Sequence, residues 1–369
     1  MQIIEIDRQK RLRDEPYTGH NRWHPEVEPK IEVEEGEEVV LQTRDASDGL
    51  IPFGSTVKEL VNFPRGVVHP LTGPVYIKGA APGDLLEVEY LDIIPESYGY
   101  TRFGPNVGFL KDLYTDPFIV HWTIDGRFAM SDALPGVRIP AMCFMGTAGL
   151  APSHLQLGEW NKRETELVNR GGNALLPDPI DAVPGDGPVA AEGLRTMPPR
   201  ENCGNADIKQ LTKGSSLYIP VGVGGGLYSV GDAHFAQGDG EVCVTAIEMG
   251  ATCCVRFTIH KEEAAKKNIR WPRFSHRGIW GPPGLTVPGR FSATMGMPVD
   301  HNGVNDGENL TLACRNALLN MIDLLQERGW DRNQAYVICS VAVDLRISNV
   351  VDVPNYVVSA ILPEDIFDR

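Results

Sequence analysis

The chain has 369 residues, of which 42% are hydrophobic, and a formal net charge of -15 at pH 7. This length accommodates two or three packed units or one large β-rich domain. The charge argues against nucleic-acid and anionic-membrane surfaces, because both need clustered basic side chains. No apolar run reaches the length of a membrane span, and no secretory signal is visible. Together with seven cysteines that form no CxxC pair, this predicts a reduced, cytoplasmic protein.

The 39 glycines and 28 prolines are spread over the whole length, as expected where many turns join many short strands. We therefore predict a mainly β fold: a jelly-roll-like β-sandwich, an additional smaller β or α+β unit and one principal C-terminal helix. The predicted regions are 1–152 (N-terminal, β-rich), 153–200 (an irregular excursion), 201–260 (central, β) and 261–369 (C-terminal, α+β). One intertwined unit is the alternative.

In the first half of the chain, turn signals separate alternating segments. Residues 31–43 alternate apolar and acidic side chains around Glu35-Gly36, which predicts a β-hairpin. A strand over 74–78, a turn at 81–84 and a long strand from Leu85 follow. Asp125-Gly126 is a two-residue hairpin turn. These patterns give the N-terminal region a succession of strands.

The second half contains the clearest helix. Residues 153–200 are rich in Pro, Gly and Ala and predict a surface excursion, either a subunit contact or a lid. From Leu310 to Leu325 apolar residues recur at helical spacing, and Gly329 follows as a C-terminal cap. Residues 335–348 and 355–363 predict strands.

A dense set of polar residues lies between Cys203 and Glu248. In an extended chain Asp232 and His234 point the same way, so both can converge on a metal ion or a polarised water. The alternative is that these acids only form turns, which the flanking glycines would also favour. Turns, however, need neither His234 nor the other polar residues of the set. The set comprises Asp207, Asp232, His234, Gln237, Asp239 and Glu241.

Other catalytic patterns are weaker. The run Gly224-Gly225-Gly226 lacks the lysine and the following helix of a phosphate loop, and no GxSxG elbow occurs. Ser215-Ser216 lies in a predicted strand, outside any Gly/Ser-rich signature. Cys203 is best interpreted as a buried structural thiol.

Several motifs in order along the chain resemble the acetamidase/formamidase family. The most specific is GDAHFAQGDGE at 231–241, with Glu248 beyond it. The others are HNRWHP at 20–25, RDASDG at 44–49, HPLTGP at 69–74, GAAPGD at 79–84, GTAGLAP at 146–152 and GNAD at 204–207. The resemblance implies hydrolysis of a short amide to a carboxylic acid and ammonia, with a metal.

On this basis we expect Asp207, Asp232 and His234 to bind a divalent metal, with Asp45 or His69 completing the set. Zinc is the first choice and calcium the alternative. Glu241 is the candidate general base. Gln237 and Asn205 are the candidate substrate-binding residues.

Some residues are left open. Glu248 lies among apolar residues, where a carboxylate must be paired or bind the metal. His69 is equally well a packed loop histidine, His24 either anchors the N-terminus or shapes the pocket, and Asp239 is best explained as a turn residue.

The open functional alternatives are a hydrolase of a larger amide, lactam or carbamate, and a non-catalytic amide-binding module with structural calcium. The expected partners are a small-molecule amide and further copies of the chain, with no nucleic acid and no membrane.

Overall fold

The computed structural model describes residues 1–368. Its strands are β1 Gln2–Ile4, β2 Gly19–His20, β3 Arg22–Trp23, β4 Ile31–Val33, β5 Glu38–Thr43, β6 Leu71–Ile77, β7 Leu85–Phe103, β8 Phe118–Ile124, β9 Phe128–Met130, β10 Arg138–Pro140, β11 Phe144–Gly149, β12 Leu194–Arg195, β13 Cys203–Asn205, β14 Ser215–Pro220, β15 Tyr228–His234, β16 Glu248–His260, β17 Arg273–His276, β18 Phe291–Gly296, β19 Asp344–Asn349 and β20 Val357–Pro363. Its helices are α1 Val57–Val61, α2 His154–Asn169, α3 Gly187–Glu192, α4 Glu263–Lys266, α5 Pro283–Thr286, α6 Leu310–Glu327 and α7 Arg332–Ala342.

Most strands of the described chain join one large sheet, whose main path runs β10-β9-β8-β7-β16-β15-β11-β13. The long strands β7 and β16 pair antiparallel, from Leu85 opposite His260 to Tyr100 opposite Glu248. This pairing unites the first and third predicted regions in one sheet. Strands outnumber helices and antiparallel pairing dominates, which confirms the mainly β fold class.

Local predictions succeeded where the strand partner is adjacent in sequence. The hairpin at Asp125-Gly126 is present as β8 and β9. The hairpin predicted over 31–43 is wrong: β4 pairs in parallel with β6, and β5 pairs with β1 and β16. Alternation identified both strands correctly, but it carries no information about a distant partner.

The prediction of an irregular excursion over 153–200 is wrong for its first third, which is α2. Ser153 caps this helix by accepting from the backbone N–H of Gln156, whose side chain accepts in return from the Ser153 N–H. Leu157 and Trp160 pack with Trp23 and Leu194 in a small apolar cluster. So little of the helix is buried that its apolar periodicity is weak.

The C-terminal unit contains the predicted helix α6, together with the sheet β18-β20-β19. Residues 335–342, predicted as a strand, instead belong to α7, so this prediction is wrong. Every residue from Ala335 to Ala342 is buried. A helix buried on all sides shows no polar face, and a short apolar run of this kind cannot be distinguished from a strand by its pattern. Within residues 1–368, no helix combines the length and the apolar character needed to cross a membrane.

Candidate active site

The polar residues singled out in the sequence meet where β15 lies beside β16. Asp232 and His234 come from the end of β15, and Glu248, the first residue of β16, pairs directly with His234. Asp207 follows β13, and Glu241 lies in the loop between β15 and β16. Strand pairing therefore brings together residues that the sequence separates by up to 41 positions.

His234 lies at the centre of the cluster. Its Nε2 is 3.2 Å from Glu248 Oε2 and 3.4 Å from Asp232 Oδ1. On the other side of Asp232, His69 Nε2 is 3.7 Å from Oδ2. Two groups have ligand atoms within 4.8 Å of one another: Asp207, His234 and Glu241, and Asp232, His234 and Glu248. Imidazole with carboxylates is a donor set suited to zinc and similar divalent cations.

Several of these atoms lack hydrogen-bond partners in the described chain, although they are buried. They are Asp207 Oδ1, His234 Nε2, Glu248 Oε2 and His69 Nδ1. Buried polar atoms are normally hydrogen-bonded, since leaving one unsatisfied costs about 1–3 kcal/mol. A cation bound between them would satisfy the oxygens and the imidazole nitrogen at once. The residues therefore fit a divalent metal.

Gln237 fixes the tautomer of His234. Its Nε2 donates to the Asp207 carbonyl at 2.9 Å, so its Oε1 faces His234 Nδ1 at 3.0 Å. An oxygen can only accept, so Nδ1 carries a proton, and when His234 is deprotonated to the neutral imidazole its Nε2 lone pair faces the cluster. Both polar atoms of Gln237 are thereby engaged within the protein. In this arrangement Gln237 orients His234, a candidate metal ligand, rather than holding the substrate.

The backbone is strained at three of these acids. Asp207, Asp232 and Glu241 have φ values of 48°, 57° and 43°, in the left-handed region. Non-glycine residues held there cost about 1–3 kcal/mol each, and such strain concentrates at functional sites. In particular, the left-handed Asp232 interrupts the extended geometry from which the Asp-x-His convergence was predicted. The side chains meet nonetheless.

Gly146 leaves the space in which two carboxylates approach each other. A Cβ at this position would lie 2.6 Å from Asp207 Oδ1, 2.8 Å from Asp232 Oδ2 and 2.9 Å from the Asp232 carbonyl oxygen. No real Cβ tolerates such contacts, and one of the atoms belongs to the backbone. Glycine is therefore required for the observed spacing of Asp207 and Asp232.

We expect Gly146→Ala to push these carboxylates apart, reducing bound metal and lowering kcat/KM by more than about 10-fold, because small misplacements in a site are costly. Gly158→Ala is the matched control, since nothing lies within 4 Å of a Cβ at Gly158. Elemental analysis and steady-state kinetics of both variants test this. Full metal content and activity in Gly146→Ala would contradict the assigned role.

Burial and mutual repulsion shift the pKa values of the acids. Burial, reinforced by Asp232, raises the pKa of Asp207 to about 8. Burial raises the pKa of Glu248 to about 7 despite the opposing charge of His234. Burial and the charge of Asp207 raise the pKa of Glu241 well above its usual value. The carboxylates of Glu248 and Asp232 outweigh burial at His234 and raise its pKa.

These pKa shifts predict that metal binding releases protons. Without a cation, groups with raised pKa values hold protons at pH 7, whereas ligands must be deprotonated. Affinity for the metal should therefore increase as pH rises through 7 to 8. Calorimetric titration of the metal-free protein with Zn²⁺ in two buffers of different ionisation enthalpy measures the protons released. Identical observed heats in the two buffers would mean that no protons are released and would contradict this prediction.

A cavity of about 260 Å³ opens onto the cluster. Its polar side is formed by His69, Asn205, Asp207, Asp232, Glu241 and Glu248. Apolar side chains, including Leu60, Phe63 and Val244, form part of the remaining wall. The cavity is large enough for a small organic molecule to reach the acids.

The other predicted residues occupy distinct positions. Asp45 lies apart from the cluster: its carboxylate accepts from the Ser47 and Gly49 N–H groups and from the Tyr100 hydroxyl. Asp45 therefore caps a turn and supports Tyr100, which lines the cavity. Asn205 also lines the cavity, with its Oδ1 2.6 Å from Thr147 Oγ1.

Besides His69, three further residues were left open by the sequence. Glu248 joins the cluster. His24 lies away from the cavity lining, where its Nδ1 accepts from the Glu26 N–H, consistent with anchoring the N-terminal segment. Asp239 lies in the loop before Glu241, and its Oδ1 accepts from Gln210 Nε2 at 3.4 Å.

No sequence pattern indicates that the C-terminal unit supports the site. Ser340 of α7 accepts from the Gly238 N–H through its carbonyl and from the Cys243 N–H through its hydroxyl. Asp344 accepts from the Asp239 N–H and from the buried Lys209 Nζ. The loop that presents Glu241 is thus held on both sides by α7 and the start of β19.

Residues 5–369 match the Acetamidase/Formamidase family. The chain belongs to the acetamidase/formamidase family. An acetamidase from Mycolicibacterium smegmatis is 35% identical over 365 residues, 91% of this chain and 88% of the relative. A formamidase from Methylophilus methylotrophus is 33% identical, covering 99% of this chain and 93% of the relative.

Solved structures agree with this membership. A γ-lactamase from Delftia acidovorans superimposes with a TM-score of 0.93 at 35% identity, covering 100% of this chain and 94% of that one. An acetamidase from Yersinia enterocolitica, at 22% identity, gives a TM-score of 0.55 and covers 99% of this chain and 98% of that one. The second likeness concerns the fold alone.

Proposed function

We propose that this chain hydrolyses the C–N bond of a small amide, giving a carboxylic acid and ammonia, with the help of a divalent metal. The observation that supports this best is the cavity-facing cluster of buried, partnerless ligand atoms around His234. Family membership and relatives named acetamidase and formamidase support amide hydrolysis. We further propose that the enzyme acts in the cytoplasm as a homo-oligomer.

Asp207, Asp232 and His234 are the proposed ligands. Glu248 replaces Asp45 as the proposed residue that completes the set, and His69 lies beside Asp232. When bound, a zinc-like ion supplies Lewis acidity, polarising an amide carbonyl and lowering the pKa of an attacking water. Gln237 holds His234 in the tautomer that can bind, as described above. The ligands are buried, which keeps the reacting centre in a region of low dielectric.

Glu241 is the proposed general base. It lines the cavity, and burial together with Asp207 raises its pKa, the direction that favours its holding a proton for transfer. It would take a proton from the attacking water and return it to the leaving amine. Asn205 has its Oδ1 oriented by Thr147, so its Nδ2 is the proposed donor to the substrate carbonyl.

A larger or cyclic amide is the second candidate substrate. The cavity of about 260 Å³ exceeds what formamide or acetamide fills. The γ-lactamase with a TM-score of 0.93 indicates that this fold accommodates a protein named for cyclic amides. Cavity volume determines how large a substrate can bind, and the cluster of proposed metal ligands does not limit that volume.

Ammonia release from formamide, acetamide and butyramide, and formation of the ring-opened amino acid from a γ-lactam, test the proposal, each measured before and after removal of metal with a chelator. We expect turnover of at least one amide, its loss on chelation and its recovery with Zn²⁺. The absence of turnover on the whole panel in metal-loaded protein would favour a non-catalytic amide-binding module with a structural ion. Turnover unaffected by complete metal removal would overturn the metal assignment.

A further inference from the structure

The cavity has cationic side chains as well as the acidic cluster. Arg65 and Arg102 both line it, together with the residues of the polar side described above. An apolar cavity of about 150 Å³ is already enough for benzene. Formamide and acetamide have three and four non-hydrogen atoms, so either would leave much of the 260 Å³ unfilled. Both arginines form part of the wall of this cavity.

The guanidinium of Arg102 has neither an acidic partner nor a backbone carbonyl partner among residues 1–368, unlike Arg22, whose terminal nitrogens donate to backbone carbonyls. The Nε of Arg102 is buried and has no hydrogen-bond partner in the described part of the chain. The guanidinium carbon lies 4.5 Å from the centre of the Phe63 ring, which supports the planar group without using its N–H donors. By contrast, Arg44 pairs with Glu15 and Arg200 with Glu164. Arg102 therefore has donors available to a ligand.

The strand register places Arg102 near Glu248, a member of the acidic cluster. Tyr100 pairs with Glu248 across β7 and β16, and Arg102 follows two positions later on β7. Residues two apart in a strand share a face, so Arg102 is a diagonal neighbour of Glu248, with about 7–8 Å between their backbones. Both side chains line the cavity, so one small molecule with a polar group at each end can contact Arg102 and the acidic cluster together.

We propose that Arg102 binds a carboxylate at the far end of the substrate, so that the substrate is the monoamide of a short dicarboxylic acid. Arginine matches a carboxylate with two parallel N–H donors, which gives both charge and orientation. The amide end lies at the His234 cluster, and water cleaves its C–N bond to give a dicarboxylate and ammonia. This inference rests on the proposed amide hydrolysis and assigns its substrate class.

Succinamate and succinamide provide the decisive comparison, because they have nearly the same shape and differ in the charge at one end. We expect wild-type protein to show a kcat/KM at least about 10-fold higher for succinamate, the range of a charge-assisted hydrogen bond. Arg102→Met should reduce the ratio of the two kcat/KM values by about 10- to 100-fold, and Arg102→Lys should restore part of it. Wild-type protein without a preference for succinamate would overturn the proposal.

Arg138→Met is the matched control. Arg138 also lies over an aromatic ring, with its guanidinium carbon 4.3 Å from the Phe128 ring centre, but it does not line this cavity. The ratio should not change in this variant. If Arg102→Met instead lowered kcat/KM equally for both amides, Arg102 would only balance the charge of the acids, and the proposal would fail.

A binding measurement separates this inference from the proposed reaction. Calorimetric titration with succinate and with acetate requires no turnover and uses the full metal-loaded chain. We expect succinate to bind at least about 10-fold more tightly than acetate, and this difference to disappear in Arg102→Met. Hydrolysis of neutral amides without preferential succinate binding would overturn the carboxylate site alone. Preferential succinate binding in a chain that hydrolyses no amide would overturn the reaction and support the site.

Discussion

His234→Ala is expected to remove the metal and with it nearly all activity. His234 belongs to both groups of converging ligand atoms, and its Nε2 lies between Asp232 and Glu248. Loss of a residue that only orients a ligand typically costs 10- to 100-fold in metal affinity, and loss of the ligand itself should cost at least about 100-fold. Elemental analysis after dialysis, with kcat/KM on the best amide of the panel, gives the result.

His154→Ala is the control for this variant, because His154 is exposed on α2 and lies away from the cavity. It should keep its metal and its activity. Removal of His234 also takes a positive group from between two buried carboxylates, so the metal-free variant should unfold at a lower temperature than metal-free wild type. Full metal occupancy in His234→Ala would show that the cluster binds its ion without this imidazole.

Glu241→Gln is expected to keep the metal but lose turnover. The substitution preserves shape and removes the ability to accept a proton, and a positioned general base typically contributes about 100- to 10,000-fold to the rate. We therefore expect kcat to fall by that factor, with KM changed far less. Kinetics and elemental analysis on the same preparation distinguish the proton-transfer role from a ligand role.

The exposed Glu166 on α2 provides the control Glu166→Gln, which should behave as wild type. Loss of metal together with activity in Glu241→Gln would move Glu241 into the ligand set, which its proximity to Asp207 and His234 permits. Unchanged kcat would exclude it from the chemistry.

Sequence reasoning worked where the signal is local. The motif at 231–241 identified Asp232, His234 and Glu241 as neighbours, and apolar periodicity located α6. It also raised the question of Glu248, because a carboxylate in an apolar strand needs a partner. The structure places that partner, His234, directly opposite in the neighbouring strand.

The remainder depends on contacts between residues far apart in sequence. Asp45 was a candidate metal ligand, but its carboxylate accepts from the Ser47 and Gly49 N–H groups and from the hydroxyl of Tyr100, 55 residues away. The proposed role of Arg102 depends on which strand lies alongside β7, and no sequence pattern predicted that neighbour. No sequence pattern indicated the contact of Asp344 with Asp239, 105 residues away. Strand partners and long-range side-chain contacts are decided by the whole fold rather than by neighbouring residues.

The dependence of the Glu241 loop on α7 has a thermodynamic consequence. Because Ser340 holds the backbone at Gly238 and Cys243, the proposed base keeps its position only while α7 remains folded against the sheet. Ligand binding that requires a folded segment stabilises that segment by the same free energy. An ion or substrate at His234 would therefore slow amide hydrogen exchange in a helix that contributes none of the proposed ligands. Amide hydrogen exchange in α7 would thus show whether an ion or a substrate occupies the site.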